Sequence, residues 1–249
     1  MKVPHMRLIL AQSAEWRRAM GKEGALVAVD PPDKVAESVL IAESDMPPLR
    51  AIVEAPIIHH DGSIRFEHGY DRATRLMHWA THGVTYPEIP DAPTAADVAA
   101  AVALIDEMIA DFPFEAQADK ANWVGLLITA MIRHLIDAPV PVAIIDAPMP
   151  GTGKTLLAEL VSIVMTGRTA ALAGMPRSEE ELEKRITTQL HAGASLVVWD
   201  NIEATVRSES LTRLVTSTTW EGRLLGSTTQ LILDARATWV LTGNNVTLG

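Results

Sequence analysis

Apolar residues recur along this chain in two periods, and the switches between them mark its organisation. Val142 to Ile145 is a short β-branched run suited to a buried strand, and from Lys154 the spacing turns helical until Thr166, where Gly167 ends it. Ser195-Leu-Val-Val-Trp-Asp200 is a second apolar run, closed by an acid, and Ala237 to Leu241 is a third. Between them the helical period returns: Leu182, Ile186 and Leu190 step by four behind the cap Ser178-Glu-Glu-Glu181, and Ser208 to Ser217 has the same texture. Thr169 to Leu172 reads as a further short strand, and Leu224 to Leu233 as a hairpin turning at Gly226-Ser227. Strands alternating with helices predict a parallel sheet covered on both faces.

Upstream, Thr94-Ala-Ala-Asp97 is a capping-box-like start, after which Val98, Val102, Ile105 and Ile109 repeat at helical spacing. A second helix is expected from Asp119 to Ile136, with Val124, Leu127, Ile128, Met131 and Leu135 inward. Residues 1–90 are less periodic. They suggest a helix over Ser13–Met20, strands over Ala25–Val29 and Ala51–Ile58, turns at Asp61-Gly62 and Gly69–Arg72, and a linker marked by Pro87, Pro90 and Pro93. The expected organisation is a mixed α/β accessory region over 1–90, a helical segment over 91–138 and an α/β core over 139–249.

Composition narrows the classes. A chain of 249 residues, 48% of them hydrophobic, has ample material for a core. With 21 Lys and Arg against 31 Asp and Glu, the net charge of -10 repels nucleic acid and anionic membrane, so any DNA contact has to be local. Residues 91–138 hold eight acidic side chains against two basic ones, either an acidic docking face or the solvated side of a helix. Zero Cys excludes disulfides and thiolate metal sites, and a reducing cytoplasm is the expected location. The opening apolar run, Leu8 to Ala11, is too short for a signal core, and Arg133, His134 and Asp137 interrupt the richest apolar window, so no membrane partner is expected. His59 and His60 are adjacent, so in a strand they face opposite ways and do not readily share a metal.

The candidate chemistry lies where the first buried run meets its helix. Pro150-Gly151-Thr152-Gly153-Lys154-Thr155-Leu156 is a glycine-rich turn from strand into helix. Gly151 and Gly153 permit backbone angles that aim successive N–H groups at phosphate oxygens, and the helix start adds free N–H groups and the positive end of its dipole. Lys154 would reach the β- and γ-phosphates of ATP, and the Thr155 hydroxyl would complete a Mg2+ shell. Asp200, at the end of the second buried run, would hold the same metal opposite Thr155. The pattern G-x-x-x-x-G-K-[ST] departs here at Pro148, which stands in place of the first glycine. A plain Pro/Gly turn and a plain strand-end acid are the bland alternatives.

Pro-Gly-Thr-Gly-Lys-Thr, Leu-Val-Val-Trp-Asp-Asn and Thr242-Gly-Asn-Asn245 together resemble the ATPase module of AAA+ proteins, and more narrowly that of phage and plasmid primase-helicases, which are superfamily 3-like. The resemblance covers residues 91–249. It implies a parallel-sheet P-loop NTPase core, Mg-ATP hydrolysis, a homo-oligomeric ring, and single-stranded or forked DNA as partner, gripped by the hairpin before the last strand. It makes Asp200 the Walker B acid. It also assigns the water-orienting position to Asn201, where the family carries Glu; an amide can hold water but takes no proton, and Glu203 is the nearby substitute. Asn244 and Asn245 fall at the polar sensor between γ-phosphate and water, Asn244 slightly favoured, with a simple turn as the alternative. The hairpin tip Gly226-Ser-Thr-Thr229 lacks Lys and aromatic residues, although Arg223 and Arg236 flank it. The chain stops at Gly249, so the core is expected to be incomplete after the sensor strand, without an arginine finger and with weak turnover. A nucleotide-binding switch or scaffold without turnover, a P-loop small-molecule kinase and an inert α/β domain are the other readings.

Overall fold

A computed structural model describes residues 2–21, 24–42, 47–80, 83–202, 205–226 and 228–249. Contacts divide the chain into two units, residues 1–48 and 49–249. The smaller unit contains α1 (Val3–Ser13), the antiparallel pair β1 (Arg17–Met20) and β2 (Ala25–Ala28), and α2 (Asp33–Ile41). The helix expected over Ser13–Met20 is absent. Pro4 sits in the first turn of α1, where its missing N–H would have no intrahelical partner, so the helix forms upstream and Arg17–Met20 pairs as a strand. Met6 and Ala36 are buried, and Arg7 reaches Asp33 at 3.0 Å.

The larger unit opens with five short strands: β3 (Ala51–Val53), β4 (Ile57–Ile58), β5 (Ile64–Arg65), β6 (Gly69–Asp71) and β7 (Leu76–His78). The single strand expected over 51–58 is divided before Pro56, which has no N–H to give to a ladder. β3 pairs in parallel with β7, while β4 pairs with β5. Residues 49–90, grouped by sequence with the N-terminal region, belong to this larger unit.

Next come α3 (Ala95–Met108) and α4 (Gln117–Ile132), the latter closed by a 3-10 turn at Arg133–Leu135. The core follows as β8 (Ala143–Ala147), α5 (Lys154–Thr166), α6 (Glu179–His191), β9 (Leu196–Ile202), β10 (Thr205–Val206), α7 (Glu209–Thr216), β11 (Thr219–Arg223), β12 (Gln230–Asp234), β13 (Thr238–Asn244) and β14 (Thr247–Leu248). In the central sheet the order is β8-β13-β9, all parallel, so the strand latest in sequence lies between the other two. A single parallel bridge from Trp199 to Ala173 continues it beyond β9.

Alternation along β9 and β13 sorts side chains to the two faces. Val197, Trp199, Trp239 and Leu241 face a cluster with Leu182, Ile186 and Trp220, from α6 and β11. Val198 and Val240 face the other way, onto Leu127, Leu157 and Val161 from α4 and α5. Trp123 locks α4 to α5 by donating its indole N–H to the Leu157 carbonyl at 3.1 Å. Trp220 does the same for β11 and α6, donating to the Thr187 hydroxyl at 2.9 Å while the Arg213 guanidinium lies 3.9 Å above its ring.

Two expected helix faces shift. On α3, Val98 and Val102 are 56% and 51% exposed and inward packing starts only at Ile105 and Ile109, because the first half of the helix runs clear of the core. That half is held instead by the expected capping box between Thr94 and Asp97. On α4 the buried set is Trp123, Leu126, Leu127 and Ala130, and Ile128 is exposed. No helix among the described residues is long and apolar enough to cross a membrane.

Candidate functional site

The loop between β8 and α5 takes the turn that its glycines allow. Gly151 and Gly153 lie at φ +77° and +87°, where a side chain is strained. Gly153 is doubly constrained, since a Cβ there would come within 2.9 Å of the Phe112 ring. It also caps α5 without a side-chain acceptor, leaving the first-turn N–H groups free of a side-chain cap. The Lys154 ammonium folds back over the loop, donating to the Met149 carbonyl at 2.9 Å and the Thr152 hydroxyl at 3.1 Å. Pro150 and Gly151 are exposed, while Thr152 to Thr155 are half-buried. Leu156 faces outward and Leu157 enters the core.

Forty-five positions further on, Asp200 meets the start of α5, accepting the Thr155 hydroxyl at 2.8 Å. A bulge aims it there. Between Leu241 and Gly243 the partner strand β9 has an extra residue, and Asn201 takes up the turn at φ +59°. Asparagine is one of the few residues that enters that region readily. The same Asp200 oxygen also accepts the Thr242 hydroxyl, whose oxygen in turn accepts the Asn201 backbone N–H at 3.3 Å. One carboxylate and two hydroxyls therefore converge at the carboxyl ends of β9 and β13, beside the glycine loop. They form a hard-oxygen set of the kind Mg2+ prefers.

The end of β13 is tied to the same loop. Asn245, at φ +54°, donates its amide to the Pro148 carbonyl at 3.3 Å, and the Val246 N–H goes to the Asp146 carboxylate at 3.0 Å. Asn244 is half-buried, and among the described residues its side-chain oxygen is buried without a hydrogen-bond partner. Gly243 is needed for close approach, because a Cβ there would meet the Ile202 carbonyl oxygen at 2.4 Å. Lys154, Thr155, Asp200, Asn201 and Asn245 are thus linked around one loop, while Glu203 falls outside the described residues.

Sequence reasoning missed Thr242 and Asp146. Thr242 was visible as the head of the Thr-Gly-Asn-Asn motif, but its partnership with Asp200 depends on the bulge, which the apolar pattern does not announce. His59, considered for a metal, instead bonds to Ser63 at 2.9 Å and Asp71 at 3.0 Å. Among the described residues no group of three or more His, Cys, Asp or Glu could hold a metal ion. In the hairpin Arg223 is exposed, Arg236 is paired with Asp137 at 2.8 Å, and Ser227 lies outside the described residues. No protein-family model and no curated protein matches this chain.

Proposed function

We propose that the chain binds Mg-ATP at the carboxyl end of the β8-β13-β9 sheet and works as an AAA+-like ATPase module, similar to that of phage and plasmid primase-helicases. The observation that carries this reading is the Thr155–Asp200 hydrogen bond at 2.8 Å. A hydroxyl on the first turn after a glycine loop and a carboxylate ending a buried strand are the two protein groups a Mg-nucleotide requires, and they lie within one hydrogen bond. The left-handed glycines, the Lys154 ammonium over the loop and the placement of β13 between β8 and β9 fit the same site. Lys154 and the N–H groups from Gly151 to Leu156 would hold the phosphates, Thr155 and Asp200 the metal, and Asn244 or Asn245 the water. Single-stranded or forked DNA and a ring of copies belong to the proposal through the resemblance. The exposed residue Arg223, at the end of β11, flanks the expected grip.

Equilibrium binding of a fluorescent ATP analogue and phosphate release, each with and without Mg2+ and single-stranded DNA, test this. Lys154→Ala is expected to weaken binding at least tenfold, about 1.4 kcal/mol. Unchanged affinity would remove the phosphate-loop assignment.

One observation favours a second reading, a nucleotide-binding switch without turnover: the residue after Asp200 is an amide, Asn201, held in a left-handed turn. Asp tolerates that conformation better than Glu, so Asn201→Asp is the variant to make. Faster phosphate release in Asn201→Asp supports an ATPase limited by its base. Tight binding with no turnover in either protein supports the switch.

A further inference from the structure

At the edge of the central sheet opposite the glycine loop, beneath the residues that lead into β9 and β13, lies a cavity of about 350 Å3. Six strand steps of about 3.3 Å separate the two edges, so the cavity is about 20 Å from the proposed nucleotide site. It shares no residue with that site. Part of its wall is apolar, with Val53, Ile57, Met165 and Leu190. The rest carries an excess of positive charge from Arg50, Arg133 and Arg236.

Two carboxylates, Asp234 and Asp137, serve these three cations. Arg50 Nε donates to Asp234 at 2.9 Å, and Arg236 pairs with Asp137 at 2.8 Å and lies 3.3 Å from Asp234. Asp137 is itself 78% exposed, so its charge is spent largely on water. Arg133 is only 4% exposed and bonds to the Ile136 carbonyl at 2.9 Å, and among the described residues no carboxylate pairs with it. Among the described residues Nη2 of Arg50 and Nε of Arg133 are buried without a hydrogen-bond partner, while Nε of Arg236 is the atom that faces the Asp234 carboxylate. Burial, then the neighbouring Arg236 guanidinium, lower the basicity of Arg133; Asp234 opposes this, and Arg50 adds to it. Guanidinium stays charged nonetheless, and a buried charge without a counter-ion is costly.

We propose that this cavity binds a small amphipathic oxyanion, a phosphate monoester or carboxylate with an apolar body. The head sits among Arg50, Arg133 and Arg236, and the body lies along Val53, Ile57, Met165 and Leu190. Guanidinium forks match either head group in bidentate fashion, and the volume suits a small molecule.

The test is calorimetry and thermal melting of the full chain with octyl phosphate, octanoate, inorganic phosphate and octanol, below micellar concentrations and in phosphate-free buffer. Octyl phosphate or octanoate at about ten times its Kd should raise Tm by about 3 °C, and octanol should not. The stronger of the two identifies the head group. Arg50→Met should lose at least tenfold in affinity; it keeps Asp234 paired with Arg236 and so folds. Arg133→Met should lose the binding too, while melting no lower than wild type without ligand, because it removes an uncompensated charge. Lys154→Ala should bind octyl phosphate as wild type does, which separates this site from the nucleotide proposal. No probe binding tighter than about 10 mM, or full affinity in Arg50→Met, would overturn the proposal. Inorganic phosphate binding as tightly as octyl phosphate would overturn its apolar part.

Discussion

Thr242 joins the two strands that build the candidate site. It is 1% exposed, its hydroxyl donates to Asp200, and its oxygen accepts the N–H of the left-handed Asn201. Thr242→Val keeps the shape and removes both bonds, one of them to a charged carboxylate, so unfolding in urea should show a loss of about 1–3 kcal/mol. Thr242→Ser keeps the hydroxyl and should recover most of that; a loss confined to Thr242→Ser would show that the methyl group, not the hydroxyl, matters. Residue types at this site were legible where the proposed chemistry would require them. Glycine before lysine, threonine after it and an acid ending an apolar strand are what binding of phosphate and Mg2+ would call for. The bulge at Asn201 was not legible, because one extra residue in a strand leaves both flanking apolar runs intact and shows only in the pairing.

At the scale of elements, period and caps predicted the core well, and they failed where an element is half outside it. The expected helix from Lys154 to Thr166 forms over the same residues, and Glu209–Thr216 starts behind the cap Ser208, whose side chain accepts the Leu211 N–H. For α3 the apolar spacing promised a buried stripe, but Val98 and Val102 reach solvent, since periodicity records a face without recording whether a partner covers it. Its first turns therefore depend on the Thr94–Asp97 box more than on packing. Thr94→Ala should cost about 1 kcal/mol. Hydrogen exchange should localise the loss to the amides from Ala95 to Val102, with α5 unchanged. Protection lost evenly across α4 and α5 would mean that α3 is packed more firmly than its exposure indicates.

For the larger unit as a whole, acid should be the weak side, and one histidine sets the first window. His134 is half-buried, with its ring Nε2–H donating to the Ile58 carbonyl at 2.8 Å. Burial lowers its pKa from the ordinary value; the Ile58 bond opposes the shift, and Arg50, His59 and His60 reinforce it. A histidine held below its unfolded pKa takes up its proton more readily when unfolded. Its contribution is thus complete above about pH 6.5 and is lost as pH falls through the lower folded value. Asp71 has its own window. Burial alone would raise its carboxyl, but the Thr74 N–H and hydroxyl and then His59 outweigh that and hold it low, so its contribution fails only below about pH 4. Melting between pH 8 and pH 3 should therefore show Tm level at first and falling below about pH 6.5. His134→Gln keeps a donor for Ile58 without a titrating ring, and should flatten that decline while leaving any loss below pH 4 in place. Parallel declines in the two proteins would assign the acid lability to carboxylates, in a chain that already carries ten excess negative charges.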